Sequence, residues 1–325
     1  YKWPDPDDNA SLAHSFEQSV EKYKNKDFIF FEDETWTYSE INNTANILAH
    51  KLIEDGISHG DKVILFMENR PSYVSTILAL NKIGAIGVLI NTSLKGEPLI
   101  HCINSSNSKK CIFGAELSGS LEGVLSSINI TAKSDIYWVQ DLPNGNCPEW
   151  ATDINKILDL SKTDNLSETD NVTAKDIAFY IFTSGTTGVP KAALFPNVKI
   201  VASSTNITRG GYRMNSEDCL YNCLPLYHST GMMLGLCACI HVGASTFIKR
   251  KFSASSFWKE VKKYNTTAFI YVGELCRYLS LQDPVDEEKD NPITKMVGNG
   301  LRPDLWDCFR NRFCVDRICE IYGAS

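Results

Sequence analysis

The chain has 325 residues, room for one large domain or two. Hydrophobic residues make up 43% and charged residues 22%, an ordinary globular balance, and the net charge of −7 argues against a nucleic-acid partner, which leaves a basic footprint. The 11 cysteines form no CxxC pair, so a zinc ribbon or redox pair is not expected; lying in apolar runs such as "CLYNC" and "LCAC", they read as small buried hydrophobes of a reduced, intracellular compartment.

In chain order, Leu12, Phe16, Val20 and Tyr23 recur at helical spacing and predict a helix over 11–24. "DFIFF" follows as a strand. Thr37 and Glu40 stand at capping-box spacing before a helix whose Ile41, Ala45, Leu48 and Leu52 share one face, with Gly56 as its stop. "KVILFM" (62–67) reads as a strand buried on both faces. Pro71 opens the next helix, Gly84 closes it, and "IGVLI" (86–90) returns as a strand. A helix over 97–105 and strands at 111–113 and 135–139 continue the alternation. Strands alternating with helices predict an α/β fold of mostly parallel sheets covered by helices.

Residues 73–90 and 232–248 are apolar enough to be weighed as membrane spans. Asn81, Lys82, His241 and internal glycines interrupt them, so each reads as a helix, a glycine stop and a buried strand. Residues 141–176 turn polar and turn-rich. A boundary is placed there, giving a first α/β subdomain with its linker at 1–170 and a second at 171–325. Beyond it, a strand is predicted at 177–183, helices near 198–208, 231–242, 255–264 and 302–312, and strands at 245–249, 267–272 and 294–297. The start at Tyr1, with no methionine or signal peptide, and the stop after "EIYGAS" read as two cuts in a longer protein.

"FTSGTTGVPKAA" (182–193) follows an apolar strand, at the end where ligands collect in α/β sheets. Its glycines let backbone amides turn toward one point and form an anion nest. Thr183, Ser184, Thr186 and Thr187 add hydroxyl donors, and Lys191 adds charge. On composition alone a solvated turn is the favoured reading. The Walker loop does not fit. Here the lysine follows Pro190, and Ala192 stands where a magnesium-binding hydroxyl is required.

At "YIFTSGTTGVPK" the chain resembles the adenylate-forming superfamily of acyl-CoA synthetases, adenylation domains and luciferases. "LPLYHSTG" (224–231), "MVGNGLRPDLW" (296–306) and "EIYGAS" (320–325) resemble its later motifs, in the same order. "INTSLKGEPLIHCI", "KFSASSFWKEVKKYN", "YVGELCRYL" and "GNGLR" are similar to the fatty-acid transport protein, or very-long-chain acyl-CoA synthetase, branch. The resemblance implies the large N-terminal domain of an acyl-CoA synthetase, without its C-terminal domain. It implies activation of a long- or very-long-chain fatty acid by ATP to an acyl-adenylate, then transfer to coenzyme A, with fatty-acid uptake as a coupled role. A non-catalytic lipid uptake or binding protein and a bile-acid-type CoA ligase stay open as alternatives.

Residue by residue, the resemblance implies nucleotide contacts at Tyr180, Ile181, Phe182, Thr183, Ser184, Gly185, Thr186, Thr187, Gly188, Val189, Pro190 and Lys191, with the 183–191 loop cradling the β- and γ-phosphates. It implies close approach of adenine at Gly298, Asn299 and Gly300, stacking on Tyr322, and contacts from Gly323, Ala324 and Ser325, the last to the α-phosphate. His228 and Lys191 are the implied catalytic residues. Tyr227, His228, Gly273 and Glu274 are implied at the acyl pocket. A core role for His228 and a surface salt bridge between Glu274 and Arg277 remain the plain alternatives, and Met232 and Met233 read as core. The Mg2+ ligand is implied just past Ser325, so no metal ligand is assigned within the chain, and the piece alone is expected to be inactive. The resemblance also implies work at the cytosolic face of a membrane, endoplasmic reticulum or plasma membrane, through an anchor upstream of Tyr1.

Overall fold

The computed structural model describes residues 3–141, 145–183 and 190–323. Its strands, in chain order, are β1 (Asp27–Phe31), β2 (Glu34–Thr37), β3 (Lys62–Phe66), β4 (Ile86–Leu89), β5 (Lys110–Gly114), β6 (Ile136–Val139), β7 (Thr152–Asp153), β8 (Ile177–Thr183), β9 (Lys191–Pro196), β10 (Cys219–Asn222), β11 (Ser245–Ile248), β12 (Ala268–Val272), β13 (Lys295–Asn299) and β14 (Arg317–Glu320). They form two seven-stranded sheets, β7-β6-β5-β3-β4-β8-β9 and β14-β13-β12-β10-β11-β1-β2. Every pairing is parallel except β8 with β9 and β1 with β2, so each sheet ends in an antiparallel edge strand.

By contacts the chain divides into two compact units. One takes the chain up to Val20 and Ser39–Val201; the other takes Glu21–Tyr38 and continues from Ala202. The boundary read from composition at residue 170 does not coincide with this division. β8 pairs with β4 and β9 pairs with β8, which holds 177–196 in the first unit, while the β1–β2 hairpin joins β11 in the second.

In the first unit the continuous apolar strands are buried on both faces, as β3 and β4 show at every central position. One face carries Ile64, Phe66, Val88, Cys111 and Phe113 against Leu99, Cys102 and Ile103 of the helix Gly96–Ser106. The helix Pro71–Lys82 is buried along nearly its whole length, with Pro71 at its first turn, where no amide partner is needed. Two polar residues that interrupt this apolar stretch find partners. Asn81 accepts the Ala13 N–H at 2.8 Å and donates to Asn197 at 3.1 Å. Lys82, 0% exposed, pairs with Glu17. Residues 73–90 therefore form a buried helix followed by a strand. Among the described residues no helix is long and apolar enough to cross a membrane.

In the second unit, Tyr221, Phe247, Phe269, Tyr271 and Met296 of the sheet pack on Phe257, Trp258 and Val261 of the helix Phe257–Lys263 and on Cys276 and Leu279 of the helix Gly273–Ser280. The segments read as plain helices at 198–208, 231–242 and 302–312 contain π-helical turns at Ile207–Tyr212, Thr230–Leu236 and Cys308–Arg312. The cysteines are unbridged. Burial pushes the thiols of Cys111, Cys223 and Cys237 upward, which makes them inert packing groups.

Candidate functional site

In the first unit β8 runs parallel to β4, so it reaches the carboxyl edge of the sheet at Thr183. The chain returns as β9, with Thr183 registered against Lys191. The glycine-rich stretch is thus the connection of a β-hairpin, rooted at both ends. Tyr180 and Phe182 pack at the edge of the core cluster, and Ile181 is 1% exposed. These three positions hold the loop's root in the sheet. Thr183 Oγ1 donates to the Lys191 carbonyl at 3.4 Å, and the His101 ring lies 2.9 Å from the Pro190 carbonyl. Lys191 is exposed. Ser184, Gly185, Thr186, Thr187, Gly188 and Val189 lie outside the described residues, as do Ala324 and Ser325.

The second unit places its motif residues after the carboxyl ends of neighbouring strands. Past β10, Asn222 donates to the Gly231 carbonyl at 3.0 Å, which closes the "LPLYHSTG" segment into a compact turn. Gly231 is obligatory there. A Cβ would sit 2.5 Å from the Pro225 carbonyl oxygen and 2.8 Å from that of Leu224. Tyr227 is half-buried beside His228, and Met232 and Met233 are core residues. His228 is exposed. Its Nδ1 accepts the Thr230 N–H at 3.3 Å, which leaves the proton of the neutral ring on Nε2. The surrounding protein disfavours the imidazolium and lowers the pKa below the ordinary histidine value.

Past β12 and β13 two backbones meet. A Cβ on Gly273 would lie 1.8 Å from the Gly300 carbonyl oxygen, and one on Gly298 would lie 2.1 Å from that of Tyr271. Gly300 has φ +79°. The turn Gly298–Asn299–Gly300 is thus a side-chain-poor ledge at the sheet edge, with Asn299 and Gly300 exposed. β14 lies beside β13, and the Ile321 N–H donates to the Gly298 carbonyl at 2.8 Å. Tyr322 follows and is fully exposed, next to an equally open Gly323. Glu274 is engaged on the helix surface by Arg277, whose Nε lies 3.0 Å from Oε2; that guanidinium holds its carboxyl down to about 2.

Sequence reasoning missed Glu320 and Tyr271. The Glu320 carboxylate accepts the N–H groups of Gly300 and Leu301 and the Tyr271 hydroxyl. No sequence pattern marks them, because Glu320 meets the glycine turn only through the pairing of β14 with β13. A cleft of about 430 Å³ opens in the first unit among Ile53, Ile57, His59, Ile83, Glu168 and Asn171. It lies at the amino ends of β3 and β4, the wrong edge for a ligand site in such a sheet. Among the described residues no group of three or more His, Cys, Asp or Glu side chains could hold a metal ion.

The family model described as "AMP-binding enzyme" matches residues 16–325. The chain is 37% identical over 319 residues to long-chain fatty acid transport protein 6 of Mus musculus, covering 97% of this chain and 50% of the relative. It is 35% identical over 320 residues to the medium/long-chain-fatty-acid–CoA ligase FadD6 of Mycobacterium tuberculosis, covering 98% and 51%. The chain thus spans about half the length of the curated relatives it matches. Among solved structures, the anthranilate CoA ligase AuaEII in complex with anthranoyl-AMP superposes with a TM-score of 0.84 at 20% identity, over 95% of this chain and 59% of that one. A long-chain-fatty-acid–CoA ligase from Archaeoglobus fulgidus gives 0.81 at 20% identity, over 100% and 66%. At such identities these structures share the fold.

Proposed function

Because the chain belongs to the AMP-binding enzyme family, we propose that the protein carrying it activates a long- or very-long-chain fatty acid with ATP, through an acyl-adenylate, to acyl-CoA. The observation that carries this reading is the ledge at Gly298–Gly300. Two backbones meet there with no room for a Cβ at Gly273 or Gly298, Gly300 turns at positive φ, and a fully exposed Tyr322 follows the adjoining strand. Those are the features a planar base needs: close backbone approach and an aromatic face. The fatty-acid names of the relatives described above support the choice of carboxylate.

In the first step a carboxylate oxygen attacks the α-phosphorus of ATP, and the bond to the β-phosphate oxygen breaks, releasing pyrophosphate. In this reading the 183–191 segment, rich in glycines and hydroxyls and carrying the Lys191 ammonium, holds the β- and γ-phosphates, where charge builds on the leaving group. Gly298, Asn299 and Gly300 receive the adenine, Tyr322 stacks on it, and Ser325 reaches the α-phosphate. His228, neutral with its proton on Nε2, donates a hydrogen bond toward the carboxylate. Tyr227 and Gly273 flank the acyl side, with Glu274 at its outer rim. In the second step the coenzyme A sulfur attacks the acyl carbon, AMP departs and the thiol proton is lost. Magnesium is expected to travel with ATP. The described residues offer it no cluster, so no step is assigned to it.

A long acyl chain partitions into bilayers, so work at a membrane surface on the cytosolic side fits this substrate. Extraction of the whole protein by detergent but not by salt tests for integral attachment. The deciding experiment is fatty-acid-dependent ATP–pyrophosphate exchange and thioester formation by the whole protein, across chain lengths and with a bile acid. Absence of both with every carboxylate overturns the ligase reading. Uptake of labelled fatty acid without either reaction would favour a transport role alone.

A further inference from the structure

Glu320 ends β14 as an exposed residue, yet its carboxylate is fully engaged. Oε2 accepts the Gly300 N–H at 2.9 Å, and Oε1 accepts the Leu301 N–H at 3.0 Å. Oε1 also accepts the Tyr271 hydroxyl at 2.5 Å. Gly300 at φ +79° turns two successive amides to one side, the geometry of a small anion nest. The chain's own carboxylate fills that nest. The turn is therefore closed to a phosphate at these amides, and its remaining exposed surface suits an uncharged planar group.

The same carboxylate joins the two parts of the ledge. One part is the turn after β13. The other is the end of β14, where the Ile321 N–H donates to the Gly298 carbonyl and Tyr322 follows immediately. The Tyr271 hydroxyl braces the carboxylate from β12. We propose that Glu320 is a positioning residue that sets the gap between the Gly298–Leu301 turn and Tyr322, the gap into which the adenine base slides. This deepens the nucleotide reading given above and rests on it. Glutamine offers one acceptor oxygen where three donors converge, and its amide sets an N–H against another donor. Alanine leaves the amides to water.

The test is calorimetric titration of the whole protein with AMP, for wild type, Glu320→Gln and Glu320→Ala. Amide exchange at Gly300 and Leu301 and the thermal midpoint are read alongside. Glu320→Ala should weaken AMP binding by about ten-fold or more, and Glu320→Gln by less. Exchange should quicken at Gly300 and Leu301 while the rest of β13 and β14 stays protected. AMP affinity within about two-fold of wild type in Glu320→Ala overturns the proposal. If that variant does not fold, wild-type affinity in Glu320→Gln overturns it equally. Faster exchange throughout both strands with a large drop in midpoint marks a merely structural role and also overturns it. A wild type that does not bind AMP brings down the nucleotide reading and this inference together, whereas a wild type that binds with unaffected variants brings down this inference alone.

Discussion

Arg70 Nη1 lies 2.9 Å from Glu116 Oε2 at a place where the arginine side chain is only 3% exposed. The same nitrogen is 2.8 Å from Asp141, and Nη2 reaches the Val139 carbonyl at 3.4 Å. Glu116 in turn accepts the Glu68 N–H at 2.7 Å. Arg70, Glu116 and Asp141 follow β3, β5 and β6, so one cation ties together three carboxyl ends of the first sheet. Arg70→Met leaves two carboxylates in a nearly dry place without a counter-charge. A loss of about 3–5 kcal/mol is expected, read from the urea midpoint of unfolding.

Lys191→Ala should separate function from stability. The side chain is exposed, while the backbone of Lys191 pairs with Thr183 at one end of the hairpin connection. Its removal should change unfolding free energy by less than about 0.5 kcal/mol. Fatty-acid-dependent pyrophosphate exchange by the whole protein should fall on the order of 100-fold, as expected for losing a charge aimed at the leaving group. Unchanged exchange would remove Lys191 from the phosphate site.

Gly273→Ala places a methyl 1.8 Å from the Gly300 carbonyl oxygen, a backbone atom that cannot swing aside. The turn must move, at a cost of about 1–3 kcal/mol, and AMP affinity should drop with it. Gly119→Ala is the control. It lies in the helix Ser118–Glu122 with nothing within 4 Å of an added Cβ, so alanine should stabilise by about 0.5–1 kcal/mol and leave AMP binding alone. Calorimetry with AMP and thermal melts distinguish the two.

His228 carries a pH prediction. Its folded-state pKa lies below the ordinary 6.5 because partial burial penalises the cation. Between 6.5 and that lower value the unfolded chain binds more protons than the folded one. The contribution to stability is therefore complete above 6.5 and is lost as pH falls through the folded pKa. An NMR titration of the imidazole should give a midpoint under 6.5, and exchange activity that needs the neutral ring should persist to the same lower pH. A midpoint above 6.5 would contradict the assigned environment.

Much of the α/β order was legible because fully buried strands are continuous apolar runs. β3, β4, β8, β11 and β12 fall where "KVILFM", "IGVLI", "IAFYIFT" and the runs at 245–249 and 267–272 place them. β9, "KAALFP", escaped. It has no β-branched residue and ends in proline, and only its ladder to β8 makes it a strand. β10, "CLYN", and β14, "RICE", are short and weakly patterned, and each is held by neighbours distant in sequence. In the candidate site the loop root, His228 and the glycine turn were named through the family resemblance, whose motifs are carried by side chains and glycines in the sequence itself. Glu320 was not, because its partners are backbone amides and a tyrosine brought next to it only by the order β14-β13-β12.

The hairpin β1–β2 has a consequence for how this chain is made. Ile29 and Phe30 pair with Thr246 and Phe247, about two hundred residues later. At about 5–20 residues per second on the ribosome, the hairpin waits roughly 10–40 s for its partner strand to emerge. Throughout that delay Ile29 and Phe31, buried in the finished sheet, lack the β11 neighbour, while Phe28 can already stack on Tyr38. A nascent chain therefore carries an unpaired apolar strand edge through that interval, an aggregation hazard. Codon changes that slow elongation between the hairpin and β11 leave the mature sequence unaltered yet lengthen that wait and lower the yield.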